Sequence, residues 1–438
     1  MGIKFDDRIL VVVATAPAGL GHIRVTNALQ QGLSSKTRLE VMGISDPGMQ
    51  WIHRLTSRNA TLKKVMEFTQ ENRVAEQLFS GNYRKWLRTH ADAAAKQLIK
   101  IVANAWPQPE VVVVLATHFG LAHQLAAQKG LLQRKLGSKL ILAVVVTDDS
   151  PQEMWAVSGA DVVFVPSNTT REVLLSRLME IGGDVPEVIT IPYPISPLLG
   201  ERLSTEEYEN RIKQARGKHS KIVIPVSGAA VQLSYFQDLI GTLTADGLES
   251  IVVSRESPYT HAFLQWCQER DGVEVVAHEY DPDVVAAYDD VYMGDVIGME
   301  VTKPSEQAFK ALFSPLQRGG AILLFSSPVG RQEKDNLSFL RRHRLIPSVD
   351  DQARINEWCL KGNRLHLTPE LLSRARHWRG VVLPDDGMWS GVAIKRLIEG
   401  GIVAAMADFG GFLEGHDEIR SDGVKEIWQK LEWLTRIR

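Results

Sequence analysis

Cysteine is nearly absent. Cys267 and Cys359 are the two in a chain of 438 residues, far apart and in no ligand-spaced pair, which argues against a zinc site or a disulfide framework. No apolar run approaches the roughly 20 residues needed to cross a bilayer, and the longest, 111–116 and 140–146, have the length of strands. Neither sign of charge dominates: 50 Lys and Arg stand against 52 Asp and Glu, so the net charge of -2 provides no global field for nucleic acid. Residues 1–7 carry two acids and lack the basic lead and cleavage pattern of a secretory signal, which makes a reducing cytoplasm the expected compartment. A hydrophobic share of 44% and a charged share of 23% are those of a soluble globular chain, long enough for two or three domains with cores of their own.

What is present is a repeated unit. Residues 9–14 form a short continuous apolar run rich in β-branched side chains, followed by a Gly-containing turn and apolar residues at helical spacing over 25–33. The same device recurs at 111–116, 140–146 and 162–165, with Ser167 as the cap of a helix over 169–178. Apolar strands alternating with helices predict a parallel sheet covered on both faces. The segment 189–197, with three prolines, closes this first block. After a charged helical stretch the pattern restarts at 222–226, with further strands expected at 251–253, 273–277, 291–293, 321–325 and 380–383. The expected architecture is therefore α/β with two doubly wound Rossmann-like domains: 1–197, a linker at 198–217, and 218–405. Residues 406–438 are expected to be helical and to pack back toward the first domain, since Val424, Ile427, Trp428, Leu431 and Leu434 share one side of a helix.

The strongest local feature is APAGLGHIRVTNAL, in which Gly19 and Gly21 lie between a buried strand and a helix. Glycines there let backbone approach a diphosphate, and the free amides of a helix start favour its charge. His22 stands at the mouth of that helix, where an imidazole can take a proton from an acceptor hydroxyl at neutral pH. The alternative is a tight turn that His22 merely caps, because the loop lacks the third glycine of a dinucleotide fingerprint. His118 and Asp148, with Asp149, fall at the carboxyl ends of further strands. Asp148 is a candidate to orient a catalytic histidine, the alternative being that it caps the next turn, as acids at such turns commonly do. Two adjacent acids alone do not make a metal site.

The ordered series GLGH, THFGLA, VVTDDSPQEMW, ADVVFVPS, PYPISPLL, TKPS and PVGRQEKDN resembles the monogalactosyldiacylglycerol synthases and the lipid-linked peptidoglycan N-acetylglucosaminyltransferase, over most of residues 9–340. The resemblance implies a GT-B fold, two Rossmann-like domains facing a central cleft. It assigns Gly19, Gly21 and His22 to phosphate proximity and base catalysis, and His118, from its place at a strand end, is a further candidate for the same acceptor or diphosphate loop. The resemblance assigns Thr302, Lys303, Pro304 and Ser305 to the donor diphosphate, and Gln332, Glu333 and Asn336 to the sugar; Gly228, in the turn that opens the second domain, is a further candidate to supply donor amides, and Glu306 a candidate to take over the ribose. The pattern departs where two glycines are usual, here Ser305 and Glu306, and where an acid that grips the ribose falls near Lys310 or Ala311.

Residues 51–100 hold ten Lys or Arg against four acids, with Trp51, Phe68, Phe79, Tyr83 and Trp86 interleaved. Such a stretch suits peripheral contact with an anionic membrane at the inner face of the cell membrane, or a solvated helical face with aromatics turned inward. The expected activity is hexosyl transfer from a nucleoside diphosphate sugar, UDP-linked by resemblance, to a hydroxyl acceptor, with a lipid among the candidates. No cofactor or metal and no nucleic acid partner is expected. A non-catalytic nucleotide-sugar binder and a nucleotide-sugar epimerase are the alternatives on the same fold.

Overall fold

The computed structural model describes residues 2–16, 20–43, 73–226, 232–361, 367–413 and 417–436, with backbone alone for 73–79. The chain divides into two compact units, Met1–Pro197 with Asp422–Arg438, and Leu198–Ser421.

Among the described residues, unit 1 holds six parallel strands: β1 Ile9–Thr15, β2 Leu39–Gly43, β3 Val111–Ala116, β4 Lys139–Val145, β5 Val162–Val165 and β6 Glu187–Thr190. They lie in the order β2-β1-β3-β4-β5-β6. Both faces of the central strands are buried, which is why β1, β3 and β4 read as continuous apolar runs. The edge strand β2 is mostly exposed, and its mixed sequence gave no apolar run to find. After β1 the chain adds β2 on one side and then crosses to add β3 on the other. The β1/β3 boundary is therefore a switch point, and the loops leaving those two strands open a crevice at their carboxyl ends.

The helix Gly423–Arg436 belongs to unit 1. It buries Val424, Ile427, Trp428 and Leu431, and the Trp428 Nε1–H donates to Leu29 O at 2.9 Å. Its approach requires glycine at its first residue: a Cβ on Gly423 would stand 1.9 Å from Pro192 O.

Unit 2 holds six parallel strands among the described residues: β7 Lys221–Pro225, β8 Glu249–Arg255, β9 Val273–His278, β10 Met299–Thr302, β11 Ile322–Phe325 and β12 Gly380–Val382. Their order, β12-β11-β10-β7-β8-β9, is that of a dinucleotide-binding Rossmann sheet, with its switch point between β7 and β10. The strand expected at 291–293 is instead the end of a helix, Asp281–Gly294. Val284, Val285, Tyr288 and Tyr292 are buried at helical spacing, and the sheet position passes to β10, whose apolar run is broken by Glu300. Two six-stranded Rossmann-like domains in one chain are the domain composition of the GT-B class. No described helix is long and apolar enough to cross a membrane.

Candidate functional site

In unit 1 the switch point brings together residues from three strand ends. The helix Leu20–Gln31 follows β1 and carries Gly21 and His22 in its first turn. Gly19 lies outside the described residues. His22 is half-buried, and its Nδ1 is 2.7 Å from Thr117 O, just beyond β3, with Thr147 Oγ1, beyond β4, at 3.4 Å. A backbone carbonyl can only accept, so Nδ1 carries the proton and the lone pair of the neutral ring lies on Nε2. Thr117 is itself fixed: its N–H donates to Ala14 O at 3.0 Å, and its hydroxyl shares a 3.0 Å hydrogen bond with Thr26. On the other side, the Tyr193 hydroxyl donates to Thr147 O at 2.8 Å.

The ring of His22 is backed by aromatic neighbours. His118 meets it edge to face at 5.5 Å, and Trp155 lies at 6.2 Å. His118, 1% exposed, precedes the helix Phe119–Leu136, stacks on Phe119 at 4.8 Å, and occupies space that a Cβ at Gly120 would invade at 2.8 Å. It is buried in the fold, turned away from solvent. Asp148 Oδ1 accepts the Ser150 N–H at 3.0 Å, steadying its own turn. Asp149 Oδ1 accepts from the hydroxyls of Ser167 and Thr170, the latter at 2.7 Å, and so ties the β4 loop to the start of the helix Asn168–Ile181.

Sequence reasoning passed over Trp155 and the clamp that holds it. The segment Glu153–Trp155 is pinned by three side chains: Arg84 donates to Glu153 O at 3.0 Å, Arg177 Nε pairs with Glu153 Oε1 at 3.3 Å, and His123 Nε2 donates to Met154 O at 3.0 Å. Burial pushes the His123 imidazole down to about 3, the Met154 contact opposing the shift, so the ring is neutral at physiological pH. Arg84 belongs to the basic stretch and is turned inward, whereas Lys85, Lys96 and Lys100 are exposed. Tyr83, Trp86 and His90 stack along the helix Arg73–Thr89, with ring separations of 5.6 and 4.8 Å. The rest of that stretch, 51–72, lies outside the described residues.

In unit 2 the switch point places residues 302–306 at the end of β10. Gly228 lies outside the described residues. Thr302 is buried at the strand end, and the Asn336 amide donates to Pro304 O at 3.2 Å, fastening the loop to the helix Arg331–Arg342. Lys303 Nζ is 3.5 Å from Glu333 Oε1, while Gln332 is exposed in the first turn of that helix. Ser305 precedes the short helical segment Glu306–Leu312 and Glu306 begins it, both half-buried.

Lys310 points into the core. It is 4% exposed and pairs with Glu300, which is wholly buried and also accepts from the hydroxyls of Tyr288 at 2.6 Å and Tyr292 at 2.5 Å. The Lys310 ammonium lies 3.7 Å from the centre of the Tyr292 ring. The segment Asp385 to Gly387, after β12, is also structural: Asp385 accepts from the Ser327 hydroxyl, and Asp386 caps the helix Gly387–Glu399 by accepting the Trp389 N–H at 2.9 Å. Among the described residues, no group of three His, Cys, Asp or Glu side chains is placed to hold a metal ion.

No family model matches the chain, and no curated protein matches it. Among solved structures it is similar to the S. aureus MnaA-UDP co-structure, at 11% identity over 98% of this chain and 97% of that one, with a TM-score of 0.48. It is similar also to UDP-GlcNAc 2-epimerase from Neisseria meningitidis bound to UDP-GlcNAc, at 10% identity over 96% and 99%, TM-score 0.45. A third is a UDP-glucosyltransferase from Polygonum tinctorium capable of glucosylating indoxyl, at 14% identity over 97% and 99%, TM-score 0.43. These levels of likeness define neither a family nor an activity for this chain.

Proposed function

We propose that the chain transfers a hexosyl group from a nucleoside diphosphate sugar, the uridine form by sequence resemblance, to a hydroxyl acceptor, with His22 as the general base. One observation carries this reading: the Nδ1–H of His22 donates to Thr117 O at 2.7 Å, which puts the lone pair of the neutral ring, held at a sheet switch point, on Nε2. In the reaction Nε2 removes the acceptor proton as the hydroxyl oxygen bonds to the anomeric carbon. The bond from that carbon to the diphosphate breaks, and the nucleoside diphosphate leaves with the electron pair. Thr117 O takes the orienting role, and Asp148 steadies the turn beside it. Gly228 and the 302–305 loop supply amides and the Lys303 cation to the departing diphosphate.

The epimerase reading needs acids able to move a proton on the sugar itself. Asp148 and Asp149 both hold backbone or hydroxyl groups of their own unit, which favours transfer. The test is incubation with a panel of UDP-sugars, with and without lipid and sugar acceptors, following UDP release and the sugar configuration by NMR. Acceptor-dependent UDP release is the expected result. A new epimer without acceptor would transfer the assignment to the second reading, and binding without turnover would leave a non-catalytic binder. The absence of both binding and release would end the nucleotide-sugar reading.

A further inference from the structure

In unit 2 the loop after β10 and the start of the helix Arg331–Arg342 converge on one carboxylate. Glu333 Oε1 lies 3.5 Å from Lys303 Nζ, and Glu333 Oε2 accepts the Val329 N–H at 2.7 Å. The two side chains of the ion pair are 13% and 15% exposed, so solvent screens them less than a surface pair. The two elements that carry them are fixed to each other by the Asn336 bond to Pro304 O. The residue before the helix is Gly330, which has no side chain with which to cap it. An ammonium and a backbone amide converging at the mouth of a helix form a seat for an anion. The anion that occupies it is the chain's own.

We propose that Glu333 is an internal stand-in for the phosphate oxygens of the donor: its carboxylate holds the seat made by Lys303 and the Val329 amide, and leaves when a diphosphate arrives. This rests on the reading of unit 2 as the donor half. A diphosphate then binds by exchange with a carboxylate, and its apparent affinity is lowered by the cost of displacing Glu333. Once released, Glu333 is an acceptor for a hydroxyl of the donor sugar. Diphosphate and sugar recognition are thus coupled through one side chain. After transfer the nucleoside diphosphate has no sugar to hold Glu333 away, so the carboxylate returns to Lys303 and favours product release.

The test is calorimetric titration of the full-length protein and of Glu333→Gln, Lys303→Met and the double variant with inorganic pyrophosphate and, separately, with UDP. The neutral amide introduced by Glu333→Gln is too weak a partner to hold the Lys303 ammonium yet keeps an oxygen for the Val329 N–H, and a thermal melt confirms that this variant is folded. Removing the competing charge is expected to tighten pyrophosphate binding about ten-fold, and adding Lys303→Met is expected to abolish the gain. Pyrophosphate binding that is unchanged, weaker or absent in folded Glu333→Gln overturns the stand-in. The two readings fail separately. A tighter pyrophosphate complex with no uridine nucleotide bound keeps the seat and removes the donor assignment. Equal UDP and pyrophosphate binding by both proteins keeps the donor assignment and removes the stand-in.

Discussion

Replacing Lys310 with methionine should destabilise unit 2 by about 3–5 kcal/mol, the range for removing one partner of a buried ion pair. Glu300 is wholly buried, and its Oε2 takes all the described hydrogen bonds, from Tyr288, Tyr292 and Lys310; its Oε1 has no hydrogen-bond partner. Without Lys310 a buried carboxylate is left with two hydroxyl donors and no counter-charge. For a domain of this size each kcal/mol moves the melting temperature by about 2–4 °C, so the unit 2 transition in differential scanning calorimetry should fall by on the order of 10 °C. Adding Glu300→Gln removes the stranded charge and keeps an oxygen for both tyrosines, and the double variant should recover most of the loss. If Lys310→Met melts within about 2 °C of the wild type, or the double variant is as unstable as the sum of the singles, the buried network is not what holds this face of the sheet. Nucleotide affinity per folded molecule should be unchanged, because the Lys310 ammonium faces the core.

Three further outcomes are expected. His22→Gln should lower kcat about 10²–10⁴-fold with donor binding intact, read from UDP release and calorimetry; retained turnover would exclude His22 as the base. Burial holds His123 at about 3 in the fold against an ordinary 6.5, so below about pH 6.5 the unfolded chain takes up a proton that the folded one refuses. The contribution is complete above pH 6.5 and is lost toward about pH 3 at about 1.4 kcal/mol per pH unit. Chemical denaturation of unit 1 at pH 4.5–7 should show that slope, and His123→Gln, which can still donate to Met154 O, should flatten it. Trp428→Ala should cost unit 1 about 3–5 kcal/mol, and Trp428→Phe, which mainly forfeits the hydrogen bond to Leu29 O, about 1 kcal/mol. Denaturant midpoints separate the two, and equal losses would show that the hydrogen bond, not the ring, fastens the returning helix.

The central strands were legible because burial on both faces leaves no room for polar residues. β1, β3, β4 and β5 announce themselves as runs of Val, Ile, Leu, Ala and, in β5, Phe. The edge strands β2 and β6 are partly exposed and carry Glu40, Glu187 and Thr190, so composition could not mark them. The same logic misplaced the fourth strand of the second sheet. A buried helix, Asp281–Gly294, ends on the apolar triplet 291–293, whereas the real strand, β10, carries a fully buried Glu300 that reads as a surface residue until its tyrosine and lysine partners are seen. A compensated buried charge defeats a hydropathy pattern because its compensation comes from elsewhere in the chain.

The candidate sites show the same division between position and partner. Sequence pattern placed His22, His118 and Asp148 at strand ends, since strand boundaries are local information, whereas Lys303 and Glu333 were assigned by resemblance alone to two separate segments, one for the diphosphate and one for the sugar. It could not say which group would hold Nδ1 of His22, because the answer is a backbone carbonyl 95 residues away in the chain. Nor could it distinguish a lysine at the loop from one inside the core: Lys303 and Lys310 are seven positions apart, and only the turn of the segment Glu306–Leu312 sends the second inward to Glu300. That inward turn removes Lys310 from any ribose-reading role. The charge left at the loop is then the Lys303–Glu333 pair, with Glu306 beside it. Where the resemblance expects two glycines the loop has Ser305 and Glu306, whose side chains limit close backbone approach at those positions. On the proposed donor reading, the electrostatic weight of anion recognition in unit 2 therefore falls on Lys303, and whether Lys303 is available to a ligand is decided by where the Glu333 carboxylate sits.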